Sequence, residues 1–131
     1  MILGLGIDIV DVERVKKIYD THGIRFIKKI FSKNEINNFS LINNYELKIL
    51  RIASRFAAKE AAIKSIPSKR KFSFSDFEIA KHSSGKPKLK LTKNSFSKVR
   101  KIKGLEKAKF DLSLSHEKKF AIAIVTLSKE K

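Results

Sequence analysis

The run Ile2-Leu3-Gly4-Leu5-Gly6-Ile7-Asp8-Ile9-Val10 is apolar at almost every position and rich in β-branched residues, which predicts a strand from Met1 to Val12. On a period of two, Leu3, Leu5, Ile7 and Ile9 share one face, and Gly4, Gly6, Asp8 and Val10 share the other. From Val12 to Ile30 the pattern turns helical, breaks near Thr21-His22-Gly23 and resumes. Ser32 and Glu35 stand at capping-box spacing and open a short helix through Phe39. Asn43-Asn44 precede the strongest helical stretch, Tyr45 to Ile66, which Pro67 ends. The C-terminal half reads as strands. Phe74 to Ala80 and Lys88 to Thr92 flank the turn-rich His82-Ser83-Ser84-Gly85-Lys86-Pro87, and Lys109 to Ser115 and Lys119 to Leu127 flank His116-Glu117-Lys118. The last strand is apolar on both sides, with Phe120, Ile122 and Ile124 facing one way and Ala121, Ala123 and Val125 the other. Burial of both faces is expected, one of them as a subunit contact.

With 131 residues and a 42% apolar share, the chain is expected to form one domain, 1–131, with a modest core that gains from association with copies of itself. Thirty Lys and Arg against thirteen Asp and Glu give a net charge of +17, which draws acidic partners to the surface. A nucleic acid, a phosphate-rich cofactor and an acidic protein all satisfy that field. The absence of cysteine removes disulfides and thiolate nucleophiles. The first residues show no secretory or transit pattern and no apolar run is long enough for a membrane helix, so the cytoplasm is the expected location, with no membrane partner.

Chemistry shows at three places. Asp8 shares its face with the two glycines, and an acid in so apolar a strand needs a guanidinium, backbone donors or a metal unless it caps the strand end. Glu60 falls within about 60° of Ile49, Ala53, Phe56, Ala57 and Ile63 on a helical projection, inside the apolar stripe. Lys64 follows one turn later on nearly the same side. Glu60 and Lys64 either close an internal salt bridge or hold a cation and face a phosphate. Ser113-Leu114-Ser115-His116 ends one apolar strand just before another, making His116 either a turn residue or a catalyst. Two carboxylates on separate elements beside a lysine suit magnesium, whereas zinc is disfavoured by the missing cysteines and the unpatterned histidines. No Walker or dinucleotide glycine pattern is present.

Gly6-Ile7-Asp8 with Arg14, together with Arg55-Phe56-Ala57-Ala58-Lys59-Glu60-Ala61-Ala62-Ile63-Lys64, resembles the two signature motifs of the phosphopantetheinyl transferases, and Ser113 to His116 resembles the third motif of the short carrier-protein-synthase class. The resemblance runs from Met1 to about Leu127. It implies an α+β fold in which a small, mostly antiparallel sheet packs against a long helix, and trimers with active sites between subunits. It implies transfer of phosphopantetheine from coenzyme A to a serine of acyl carrier protein. Asp8 and Glu60 would hold Mg2+ with the pyrophosphate, and Lys64 would lie by the phosphates. Arg55, Lys59 and the Gly85-Lys86-Pro87 turn match positions near the coenzyme. His116 matches the third motif, and Arg14, Arg25 and Phe26 the docking surface for the acidic carrier protein. The sequence departs from the family where many relatives carry a Gly-rich loop, having Ile66-Pro67-Ser68-Lys69-Arg70-Lys71 instead. The competing class, a basic nucleic-acid-binding module without catalytic activity, explains the charge but not a carboxylate inside the apolar stripe.

Overall fold

Asp11 ends the first strand and starts the first helix, because its side chain accepts from the backbone N–H groups of Glu13 and Arg14 at 2.9 and 3.3 Å. The computed structural model describes residues 1–129. Strand β1 (Ile2–Asp11) leads into α1 (Val12–His22), which stops at Gly23, and α2 (Ile24–Ile30) resumes. Gly23 has φ 54°, a left-handed conformation that glycine adopts without penalty, and this accounts for the break at Thr21-His22-Gly23. The capping box forms as the spacing predicts and opens α3 (Lys33–Ser40), with Glu35 N–H donating to Ser32 Oγ at 3.2 Å and Ser32 N–H to Glu35 Oε1 at 2.8 Å. Asn44 caps α4 (Tyr45–Ser65) through Leu47 N–H at 2.9 Å.

A short 3₁₀ turn, Phe74–Asp76, occupies residues expected to be strand, so β2 (Phe77–Lys81) begins later and pairs with β3 (Pro87–Leu91). Helix α5 (Lys93–Arg100) follows, an element the alternating pattern did not predict. Its anchor is a side-chain bond, Ser95 Oγ donating to Asp76 Oδ1 at 2.5 Å, together with the buried Val99. Strands β4 (Ala108–His116) and β5 (Phe120–Lys129) complete a three-stranded antiparallel sheet in the order β1-β5-β4. The fold is thus α+β, antiparallel strands packed against one long helix, as expected.

Helix α4 lies across β1 and β5. Ala53, Ala57, Ala58, Ala61 and Ala62 of the helix and Ala121, Ala123 and Val125 of β5 are fully buried, so small side chains build this layer and the two backbones run close together. At the glycines they touch. A Cβ on Gly6 would stand 1.8 Å from the Ala61 carbonyl oxygen, and one on Gly4 the same 1.8 Å from that of Ser65. The opposite sheet face is bare. Ile7 pairs with Ile124 and Ile9 with Ile122 in the register, so exposed side chains of β1 and β5 adjoin as one apolar surface, Ile7 being 59% and Ile122 38% exposed. Burial of both faces of the last strand therefore does not hold within one protomer. Among the described residues no helix is long and apolar enough to cross a membrane.

One charged pair lies inside the core. Lys59 is fully buried, and its ammonium donates to Glu35 Oε1 at 2.7 Å, to the Ile30 carbonyl at 2.8 Å and to the Phe74 carbonyl at 3.4 Å. Glu35 Oε2 in turn accepts from Ile79 N–H at 3.0 Å. One carboxylate thus ties the cap of α3, the middle of α4 and β2 together. Burial pulls Lys59 below the ordinary lysine range, and Glu35 opposes the shift. The expectation that Lys59 meets the coenzyme is corrected here, because its ammonium points into the core and its donors are taken. Glu35→Ala leaves that ammonium without a counter-charge and is expected to remove about 3–5 kcal/mol of unfolding free energy. Urea titration reads this directly, with the exposed Glu117→Ala as a control whose midpoint does not move.

Candidate active site

Asp8 follows Gly6 by one strand period, so it projects from the face that α4 covers, and its side chain is only 16% exposed. Glu60 precedes Ala61, whose carbonyl abuts Gly6, and this places the second carboxylate half-buried beside the first. Burial raises the Glu60 pKa above the ordinary glutamate value, the charge of Asp8 raises it further, and Lys64 partly offsets both. Lys64 does not close the salt bridge with Glu60 that an i, i+4 spacing allows. Its ammonium crosses to β1, 3.1 Å from Asp8 Oδ1 and 3.1 Å from the Ile7 carbonyl oxygen. Its side chain is half-exposed rather than on the buried side.

Two carboxylates that repel each other at the meeting of a strand and a helix are suited to a divalent cation, since the ion removes the repulsion that burial sharpens. Among the described residues no His, Cys, Asp or Glu cluster of three or more is placed to hold a metal. A cation at Asp8 and Glu60 would therefore complete its shell from water and from phosphate oxygens, the habit of magnesium rather than zinc.

A second group of residues gathers elsewhere. Arg55 of α4, the Gly85-Lys86-Pro87 turn and His116 at the end of β4 line one cleft of about 510 Å³. Gly85 has φ 88°, and the turn closes by His82 N–H donating to the Lys86 carbonyl at 2.7 Å, so the glycine is needed for the turn that presents Lys86. Burial and the nearby Arg51 guanidinium pull the Arg55 pKa down, while Glu35 opposes them. Cations crowded in this way favour an anion between them. Sequence reasoning missed Arg51 and Lys81, which also line the cleft and an adjoining recess of about 230 Å³. Arg51 stands one turn before Arg55 on the same helix, a spacing that was readable.

Asp8, Glu60 and Lys64 do not line that cleft. Strand β5 lies between β1 and β4, a lateral separation of about 10 Å. The sites expected from sequence thus form two groups on one protomer, the acid pair by β1 and the cationic cleft by β4. Arg14 on α1 and Arg25 on α2 are exposed, while Phe26 is half-buried with its ring centroid 6.4 Å from that of Phe56.

Residues 4–125 match the family model of the 4'-phosphopantetheinyl transferase superfamily. The holo-acyl-carrier-protein synthase of Thermodesulfovibrio yellowstonii is 38% identical over 129 residues, spanning 98% of this chain and 100% of that protein. The synthase of Halothermothrix orenii is 40% identical over 127 residues, 95% of this chain and 96% of the relative. Among solved structures, the holo-(acyl-carrier-protein) synthase of Bacillus anthracis in complex with CoA (3',5'-ADP) has a TM-score of 0.79 at 32% identity, covering 99% of both chains. The synthase of Neisseria meningitidis reaches 0.84 at 29% identity, covering 98% of this chain and 100% of the other. A family match from Gly4 to Val125 and relatives similar from end to end lead to one assignment: the chain belongs to the 4'-phosphopantetheinyl transferase superfamily.

Proposed function

We propose that this protein is a holo-acyl-carrier-protein synthase, moving the 4'-phosphopantetheine group of coenzyme A onto a serine of apo acyl carrier protein and releasing 3',5'-ADP, in support of fatty acid biosynthesis. The observation that carries this reading is the half-buried acid pair, Asp8 and Glu60, with the Lys64 ammonium at its edge. The relatives named above give the substrate class, one of them with CoA (3',5'-ADP) bound. Charge alone also admits a nucleic-acid module, but that reading leaves the acid pair without a purpose.

In the transfer, the serine oxygen bonds to the β-phosphorus of coenzyme A, the bond from that phosphorus to the bridging oxygen breaks, and 3',5'-ADP carries the bridging oxygen away. Asp8 and Glu60 would hold Mg2+, which when bound supplies neutralisation of the pyrophosphate charge. Lys64 stabilises the leaving phosphate by its charge. The serine proton passes either to Glu60 or to a water at the cation site. Arg55 and Lys86 hold the anionic nucleotide in the cleft, the Gly85-Lys86-Pro87 turn forms its wall, and His116 offers an imidazole hydrogen bond at its β4 end.

Because the acid pair and the cleft are separate on one protomer, the reading includes a homotrimer in which each site is completed between subunits. The apolar outer face of β1 and β5 is the surface available for that contact. Arg14, Arg25 and Phe26 receive the acidic carrier protein, whose approach the net charge of +17 speeds. The chain then acts as one transferase domain, 1–131, in the cytoplasm.

Mass spectrometry of apo carrier protein incubated with the enzyme, coenzyme A and Mg2+ is expected to find the added phosphopantetheine, and Asp8→Ala and Glu60→Gln are each expected to abolish the addition while keeping wild-type circular dichroism. Near-normal transfer by either variant would refute the assignment. Proton and cation compete for Glu60, so Mg2+ affinity is expected to weaken as pH falls through its raised pKa, at a less acidic pH than for an ordinary glutamate. Without a cation the sign reverses for stability. The contribution of protonated Glu60 is full below the unfolded pKa and is lost as pH rises through the folded one. Calorimetric Mg2+ titrations and thermal melts across pH check both halves, and Glu60→Gln should flatten them.

A further inference from the structure

Lys64 has more reach than its position requires. Its side chain is 53% exposed, yet its ammonium rests 3.1 Å from Asp8 Oδ1 and 3.1 Å from the Ile7 carbonyl. Asp8, at 16% exposure, offers few directions of approach, and the ammonium occupies one of them. A divalent cation on Asp8 would need its carboxylate oxygen at about 2.1 Å and would repel a positive nitrogen hydrogen-bonded to the same atom. Cation and ammonium therefore compete for the charge of Asp8.

We infer that Lys64 is a built-in occupant of the cation position, a lock that couples cation binding to the arrival of a phosphate. The inference rests on the assignment of Asp8 and Glu60 as the cation site. With no phosphate present, a cation that displaces the ammonium leaves it without an anionic partner. With the pyrophosphate of coenzyme A in place, the displaced ammonium swings on its exposed stem to the phosphate and loses nothing. Cation and coenzyme therefore strengthen each other's binding, and by linkage the factor is the same in both directions. The protein holds free magnesium weakly until its co-substrate arrives, and Lys64 positions its charge on the phosphate only after being released from Asp8.

The test is Mn2+ binding followed by electron paramagnetic resonance of the free ion, with and without coenzyme A, on wild type, Lys64→Met, Glu60→Gln and Lys17→Met. The last removes an equal charge from an exposed site on α1. Lys64→Met is expected to bind Mn2+ about tenfold more tightly than wild type when coenzyme A is absent, and the strengthening produced by coenzyme A is expected to shrink by the same factor. Lys17→Met should match wild type. If Lys64→Met binds Mn2+ no more tightly than wild type while Glu60→Gln abolishes binding, the cation site stands and the lock is wrong. If wild type and Lys64→Met both fail to bind Mn2+ even with coenzyme A, the site assignment falls and the inference with it.

Discussion

The contact between the backbones of β1 and α4 at Gly4 and Gly6 fixes the rest of the site. A methyl group at either glycine would collide with a helix carbonyl at 1.8 Å, and because the obstacle is backbone, nothing can rotate aside. The carbonyls belong to Ala61 and Ser65, the residues immediately after Glu60 and Lys64. Each of those polar residues is therefore one position from a point where the helix touches the strand, and Asp8 is one strand period from the Gly6 contact. The relative placement of the three backbone positions is set by main-chain contact.

Two lysines of α4 illustrate how burial sorts the same chemistry into opposite uses. Lys59 is fully buried with three acceptors around its ammonium, one of them the Glu35 carboxylate that also holds the cap of α3. Removing either partner strands a charge in the core, so the pair is fixed. Lys64 meets Asp8 with its own side chain half in solvent, so water competes for the ammonium and this bond is easier to break than the buried one. The first interaction gives the fold its rigidity and the second is cheap to break. A charge that must move belongs in the second setting.

Much of this was readable along the chain because it depends on neighbours in sequence. The alternation in Ile2 to Val10, the Ser32/Glu35 box and the stop at Gly23 are local patterns, and each formed where its spacing placed it. The acid pair was legible for a related reason, since an acid among apolar residues is conspicuous whatever the fold. Lys59 was misplaced because its partner, Glu35, lies 24 positions away, and nothing near Lys59 reveals which way its ammonium points. The Lys64 bond to Asp8 spans 56 positions and replaced the local pairing with Glu60 for the same reason. Helix α5 escaped notice because it is short and polar and is docked by a Ser95 to Asp76 bond across 19 positions. The bare face of β5 leaves the expected burial of both its faces unmet within the chain itself.

The alanine layer between α4 and the sheet has a consequence for reading variants of this protein. Ala57, Ala58, Ala61 and Ala62 are fully buried, so a larger residue there pushes the helix off its neighbours and carries Glu60 and Lys64 with it. Genetic screens would score such changes as lost chemistry although every reacting group is intact. Neutral drift at these positions is closed not by what the side chains do but by how little room they leave.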